Sequence, residues 1–191
     1  MKIVFASHNQ KKATEIRSVL PKGMSLLTLY DLALEEEIPE NEPTIEGNSA
    51  FKANWVLQRF GLPCFADDTG LEVAALNGAP GVHSARFAGL DRSDEANMNK
   101  LLAALEDSAD RSAQFKTVIT YCDGLIQQQF TGIVTGVIAK EKTGTEGFGY
   151  DPIFIPEDQS LTFAQMQLSE KNLYSHRARA MAQFLNFLET R

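Results

Sequence analysis

The chain has 191 residues, 43% of them hydrophobic, and a formal net charge of −7; that length supports a sizeable core, as one large domain or two small lobes. The acidic balance excludes a general nucleic-acid binder, which needs a basic face to neutralise phosphates, and an anionic substrate would need a local positive site or a metal. No apolar stretch reaches transmembrane length and MKIVFAS breaks into SHNQKK too soon for a secretory segment, so a cytoplasmic protein with no membrane partner is expected.

KIVFA, residues 2–6, reads as a buried strand, and QKKATEIRSVL as a helix ending near Pro21 and Gly23. MSLLTL is a second strand. After the acidic connection EEEIPENEP, a helix opened by Thr44 carries Ile45, Phe51, Trp55 and Val56 as far as Gly61. PCFADD is expected to be a strand followed by a turn, and LEVAAL a further strand ending at Asn77 and Gly78. A helix is predicted from Ser93, a suitable N-cap, to about Glu106. Two long β segments, AQFKTVITYC and IQQQFTGIVTGVIA, meet at Asp123-Gly124, a strong hairpin signal. An amphipathic helix is expected from about Leu173 to Leu188. Strands alternating with helices, plus one long hairpin, imply a mixed α/β sheet with one lobe built on the hairpin. Cys64 and Cys122 lie far apart and lack partners at ligand spacing, so both are expected as reduced thiols, with no zinc site or disulfide framework.

Six sets of residues are suited to chemistry. GTEGFGYDPIF, from Gly144 to Phe154, combines glycines that allow close backbone approach with Phe148 and Tyr150, whose flat faces suit a base, and Asp151, an acceptor for ring N–H groups. It reads as a nucleoside pocket, the alternative being a Gly-rich turn into the strand IFIP. SHNQKK sits between a strand and a helix, where open N–H groups and the cations of Lys11 and Lys12 suit a phosphate chain; it has no Walker pattern. Glu40, Asp67 and Asp68 offer hard oxygens suited to Mg²⁺, one aspartate facing the ligand and the other supporting it, unless DDTG is simply a solvated turn. Lys52 follows on the helix after Glu40. GAPGVHSARFAG, residues 78–89, is a rigid polar loop that serves either a ligand or the fold. In EKNLYSHRARA the donors Lys171, His176 and Arg177 cluster near the start of the last helix.

Taken in order, these segments resemble the inosine triphosphate pyrophosphatase family, the purine nucleoside triphosphate pyrophosphatases that clear ITP, XTP and their deoxy forms. The family's Ser/Thr-x-Asn-x-x-Lys appears as Ser7, Asn9 and Lys12, and its Glu ahead of a Thr-x-x-x-Asn-x-x-x-Lys-Ala helix as Glu40, Thr44, Asn48, Lys52 and Ala53. FADDTGL, GAPGVHSARFAG, GFGYDPIF and EKNLYSHR resemble its other signatures, so the likeness runs from residue 3 to about 185. The chain departs from the family at His8 and Lys11, where glycine is frequent, and at Tyr174, where a small aliphatic residue is usual.

The resemblance implies an elongated α/β fold with a long mixed, twisted sheet, flanking helices and a cleft between two lobes of one domain, and a homodimer. It implies hydrolysis of the α–β phosphoanhydride with Mg²⁺. By the same resemblance Ser7, His8, Asn9, Gln10, Lys11, Lys12 and Lys52 hold phosphates, with Thr69 also in contact with substrate. Glu40 and Asp68 hold the metal, and Asp68 accepts the proton of water. Phe148, Gly149, Tyr150, Asp151, Lys171, His176 and Arg177 surround the base. Donors from Arg177, His176 or Lys171 aimed at position six would favour the 6-oxo bases over adenine, because an amino group there sets donor against donor. Three rival readings are a related pyrophosphatase of the septum-formation-inhibitor family, whose signatures are missing, a nucleotide sensor without catalysis, and an interaction protein with no ligand.

Overall fold

The apolar run that opens the chain becomes strand β1 (Lys2–Phe5), and helix α1 (Gln10–Val19) follows; the computed structural model describes residues 2–190. Asn9 caps α1 by accepting the amide of Lys12, satisfying one of the donors that a helix start leaves open. β2 (Ser25–Thr28) pairs in parallel with β1. Helix α2 (Ile45–Phe60) starts and stops where its capping residues predict: Thr44 accepts the amide of Gly47, and Gly61 ends the helix at a φ of 64°.

β3 (Cys64–Val73) departs from the sequence reading, because the predicted turn at DDTG and the strand after it are one continuous strand. A DDTG turn presupposes solvated carboxylates. Here Asp67 is 0% and Asp68 7% exposed, each held by cations, so extended backbone is favoured over a surface turn. Ala74–Leu76 then forms a single 3-10 turn, and β4 (Pro80–Gly81) returns antiparallel to β3.

Helix α3 (Asp94–Ala104) begins after the predicted cap Ser93, which accepts the amide of Ala96. β5 (Ser112–Cys122) and β6 (Gln127–Ile138) form the expected hairpin, with Asp123 Oδ1 accepting the amides of Leu125 and Ile126. β7 (Phe154–Pro156) pairs antiparallel with β6. The one C-terminal helix expected is two, α4 (Leu168–Tyr174) and α5 (His176–Glu189), separated by Ser175 in extended conformation at ψ 146°. No glycine or proline marks that break.

The resulting sheet is mixed, in the order β2-β1-β3-β5-β6-β7 with β4 added to β3, and five α-helices accompany it among the described residues, so the fold is α/β as expected. The chain divides into two compact units, and β3, β5 and β6 each contribute to both. The first unit comprises the N-terminal stretch to Asp68, Thr117–Gly132 and the chain from Arg177. In it β1 alternates as a doubly buried strand must: Ile3 and Phe5 join a cluster with Ile16, Phe65 and Phe184, while Val4 and Ala6 join Leu29, Ala53, Val56 and Ala66. The second unit, Thr69–Lys116 with Ile133–His176, has its own core around Leu71, Leu101, Phe115, Phe154 and Phe163.

Replacing Thr44 by Ala removes the α2 cap and should lower stability by about 1 kcal/mol. Urea unfolding of the variant checks this; an unchanged midpoint would show that the cap does not matter to the fold.

Candidate active site

SHNQKK occupies the turn between β1 and α1. The Asn9 amide donates to Ser7 Oγ at 3.1 Å, which holds the loop in the shape that opens the helix. His8 Nε2 donates to the Leu34 carbonyl at 2.8 Å and its ring meets Tyr30 edge-on at 5.1 Å, so this departure from the family's glycine ties the loop to the turn after β2. Gln10 and Lys11 are exposed, whereas Lys12 turns inward and donates to Asp67 Oδ1 at 2.9 Å. The α1 start thus offers open amides and nearby cations, the ingredients of an anion site.

Thr44, Asn48 and Lys52 stand four residues apart and share one face of α2. Asn48 is buried and accepts the Glu42 amide at 3.0 Å, which fixes the segment carrying Glu40. Ser49 Oγ lies 3.2 Å from the Ala66 carbonyl, joining α2 to β3 just before the aspartates. From that platform Lys52 Nζ reaches Glu40 Oε1 at 3.0 Å and Asp68 Oδ1 at 2.7 Å. Adjacent strand residues point to opposite faces, and the partners divide accordingly: Asp68 meets Lys52, while Asp67 meets Lys12 and, through Oδ2, Arg177 Nε at 2.9 Å.

Sequence reading missed Glu15. It is buried on α1, and its carboxylate accepts Arg177 Nη1. The available signal was positional, an acid on the helix face shared by Lys12, Ile16 and Val19. The named ions on the Asp67 side, Glu15, Asp67, Lys12 and Arg177, balance as two negative and two positive charges. On the Asp68 side, Lys52 pairs with both Glu40 and Asp68.

These surroundings separate the two aspartates. Burial pushes the Asp67 carboxyl up, but Lys12, Arg177 and Lys52 outweigh it and hold the group well below the ordinary carboxylate range. Burial also raises Asp68; Lys52 and Lys12 offset this only partly, and Asp68 lies above the usual value. Lys52 is lowered by burial yet raised overall by Asp68, Glu40 and Asp67. For Lys12 burial prevails and the ammonium lies below its usual value.

In the second unit, the buried Asp151 accepts the Phe148 amide at 2.8 Å and the buried Lys171 Nζ at 2.6 Å, both through Oδ2. Gly147, at φ 73°, makes room for this carboxylate: a Cβ there would sit 2.0 Å from Asp151 Oδ2. The Gly149 amide donates to Asp94 Oδ2 at the start of α3. Lys171 Nζ lies 5.3 Å from the centre of the half-buried Phe148 ring, and His176 stacks on Phe115 at 4.6 Å. Tyr150, 4% exposed, packs in the core and donates its hydroxyl to the Ser84 carbonyl at 2.8 Å. Ser84 Oγ accepts the Leu71 amide and donates to the Gly81 carbonyl, so this part of the 78–89 loop serves the fold. Thr69 is half-buried and follows Asp68 on β3. The structure thus gathers Lys12, Glu40, Lys52, Asp67, Asp68 and Arg177 in the first unit and Phe148, Asp151 and Lys171 in the second.

A profile of the Ham1 family matches residues 3–187. The chain belongs to the Ham1 family. Ham1 relatives are similar over their whole length: a dITP/XTP pyrophosphatase of Flavobacterium johnsoniae is 54% identical over 98% of both chains, and one of Flavobacterium psychrophilum is 53% identical over 99% of this chain and all of its own. Among solved structures, the Ham1 protein of Staphylococcus aureus superposes with a TM-score of 0.90 at 39% identity, covering 100% of this chain and 99% of its own. A Ham1 protein from Coxiella burnetii gives 0.91 at 37% identity, with both chains fully covered. The resemblance read from the motifs is thereby borne out.

In this Ham1 chain, Glu15→Ala leaves Arg177 short of one buried anion. Breaking one member out of a buried charge set costs about 3–5 kcal/mol, and urea unfolding should show a loss of that order. A loss under about 1 kcal/mol, the scale of an exposed pair, would show that Glu15 is not part of a buried network.

Proposed function

We propose that this chain hydrolyses the aberrant purine nucleoside triphosphates ITP, dITP and XTP to the monophosphate and pyrophosphate. The observation that carries the reading is the set of ions around Asp68, in a chain so similar to enzymes named dITP/XTP pyrophosphatase. The half-buried Glu40 and the buried Asp68 share Lys52 there, beside a helix start with Lys12. The hard oxygens of the two carboxylates suit a cation, while the helix start and lysines favour phosphates.

Glu40 and Asp68 are the residues that would hold a divalent metal, and Mg²⁺ fits their hard oxygens. No group of three or more His, Cys, Asp or Glu side chains is gathered for a metal among the described residues. Two carboxylates suffice where substrate phosphates complete the coordination, as is usual for Mg²⁺. When bound, the ion would offset charge on the polyphosphate and acidify a water.

Asp68 accepts the proton of the attacking water as the α–β phosphoanhydride bond breaks and pyrophosphate leaves. Lys52, held by Glu40 and Asp68, and Lys12 bind the phosphates with Ser7, Asn9 and the α1 amides. Arg177 pairs with Asp67 and Glu15 and Lys171 pairs with Asp151, but Lys171 also lies against the Phe148 ring, so of the proposed donors for a 6-oxo base Lys171 has the surroundings best suited to the role. Phe148 supplies the stacking face, a contact worth about 1–3 kcal/mol per base.

The described residues include no helix long and apolar enough to cross a membrane. We place the protein in the cytoplasm with the nucleotide pool, as a homodimer by family resemblance.

Turnover of ITP, dITP, XTP, GTP, ATP and dTTP with Mg²⁺ tests the reading. Pyrophosphate should appear with the first three at rates at least tenfold above the others, and Glu40→Gln should raise the Mg²⁺ concentration needed. Release of orthophosphate instead of pyrophosphate would refute the reaction, and an unshifted metal titration would remove Glu40 from the metal site.

A further inference from the structure

Cys64 opens β3 and Cys122 closes β5, and these strands are neighbours in the sheet. The two residues are 58 positions apart in the chain, yet their Sγ atoms lie 3.5 Å from each other. Both are free thiols, 0% and 1% exposed. Cys64 also donates to the Ala53 carbonyl of α2 at 3.2 Å, which holds its sulfur in place. Sulfur atoms at this separation are in contact with nothing between them. A disulfide needs about 2.05 Å, so closing the gap asks about 1.5 Å of movement, shared by two side chains.

We propose that Cys64 and Cys122 form a reversible redox site, in which a peroxide converts the buried thiol pair to an intramolecular disulfide. Cys64 directly follows the exposed Pro63, and Cys122 directly precedes Asp123 and the exposed Gly124 of the hairpin turn, so either sulfur can be the first to meet the peroxide.

The steps balance. The sulfur of one cysteine attacks one peroxide oxygen, the O–O bond breaks, and one water leaves as the sulfenic acid forms. The sulfur of the other then attacks the sulfenic sulfur, the S–O bond breaks, and a second water leaves as the S–S bond forms. One peroxide is reduced to two waters and two thiols are oxidised; a dithiol reductant reverses the change. The neighbouring thiol intercepts the sulfenic acid before further oxygen can be added. The tether closes a long loop of the unfolded chain, so the oxidised protein should melt higher, by roughly 5–10 °C.

The folded protein is treated with excess hydrogen peroxide, the peroxide is removed, and remaining thiols are alkylated after unfolding. Peptide mapping should find Cys64 and Cys122 cross-linked to each other, with both alkylated again after dithiothreitol and with the melting midpoint raised only in the oxidised sample. Cys64→Ser should retain a Cys122 that proceeds to the sulfinic acid. Three results would overturn the proposal: both cysteines still alkylated after peroxide, oxygen added to either without a cross-link in the wild type, or a cross-link between two chains. The wild-type map decides the matter even if the serine variant does not fold.

Discussion

Two adjacent carboxylates on a buried strand set the terms for everything around them. Each ion taken from water costs several kcal/mol, and that cost is offset only by close, well-placed opposite charge. Asp67 and Asp68 face opposite sides of β3, so each makes its ion pairs with different cations. The structure meets the need from three helices: α1 supplies Lys12, α2 supplies Lys52 and α5 supplies Arg177. The positions of these helices against β1 and β3 are therefore fixed by charge as well as by the apolar clusters around Phe65 and Ala66.

The division of charge gives each aspartate a different part. Around Asp67 the named ions cancel, and the carboxyl is held strongly ionised, the signature of a group whose task is to hold Lys12 and Arg177 in place. Around Asp68 a single lysine pairing is shared with Glu40, burial dominates, and the carboxyl is held less firmly in its ionised form. A site that must receive a cation and a proton needs that second condition. The same economy recurs in the second unit, where Asp151 orders the Phe148 backbone and holds Lys171 next to the aromatic ring.

Much of this was legible in the sequence wherever the controlling interaction is local. Thr44 and Gly61 mark the ends of α2 because a cap and a left-handed residue act within one turn. Asp123-Gly124 gives the hairpin for the same reason. Four-residue spacing placed Thr44, Asn48 and Lys52 on one helix face. Other features depend on partners remote in the chain. DDTG looks like a turn until Lys12, Lys52 and Arg177 are brought to it. Glu15 is an ordinary helical acid until α5 delivers Arg177, and Ser175 breaks the last helix with no breaker residue to announce it. Cys64 and Cys122 are unrelated in sequence and in contact in space.

The central claim is that Asp68 carries the chemistry while Asp67 holds the frame, and parallel measurement of unfolding free energy and ITP turnover in Asp67→Asn and Asp68→Asn tests it most directly. Asp67→Asn deprives both Lys12 and Arg177 of an anion and should cost about 3–5 kcal/mol of stability. Asp68→Asn leaves Lys52 with Glu40, so the fold should lose less, while turnover falls by roughly 10²–10⁴. Turnover of Asp68→Asn within tenfold of wild type, or an Asp67→Asn variant as stable as wild type, would contradict the account.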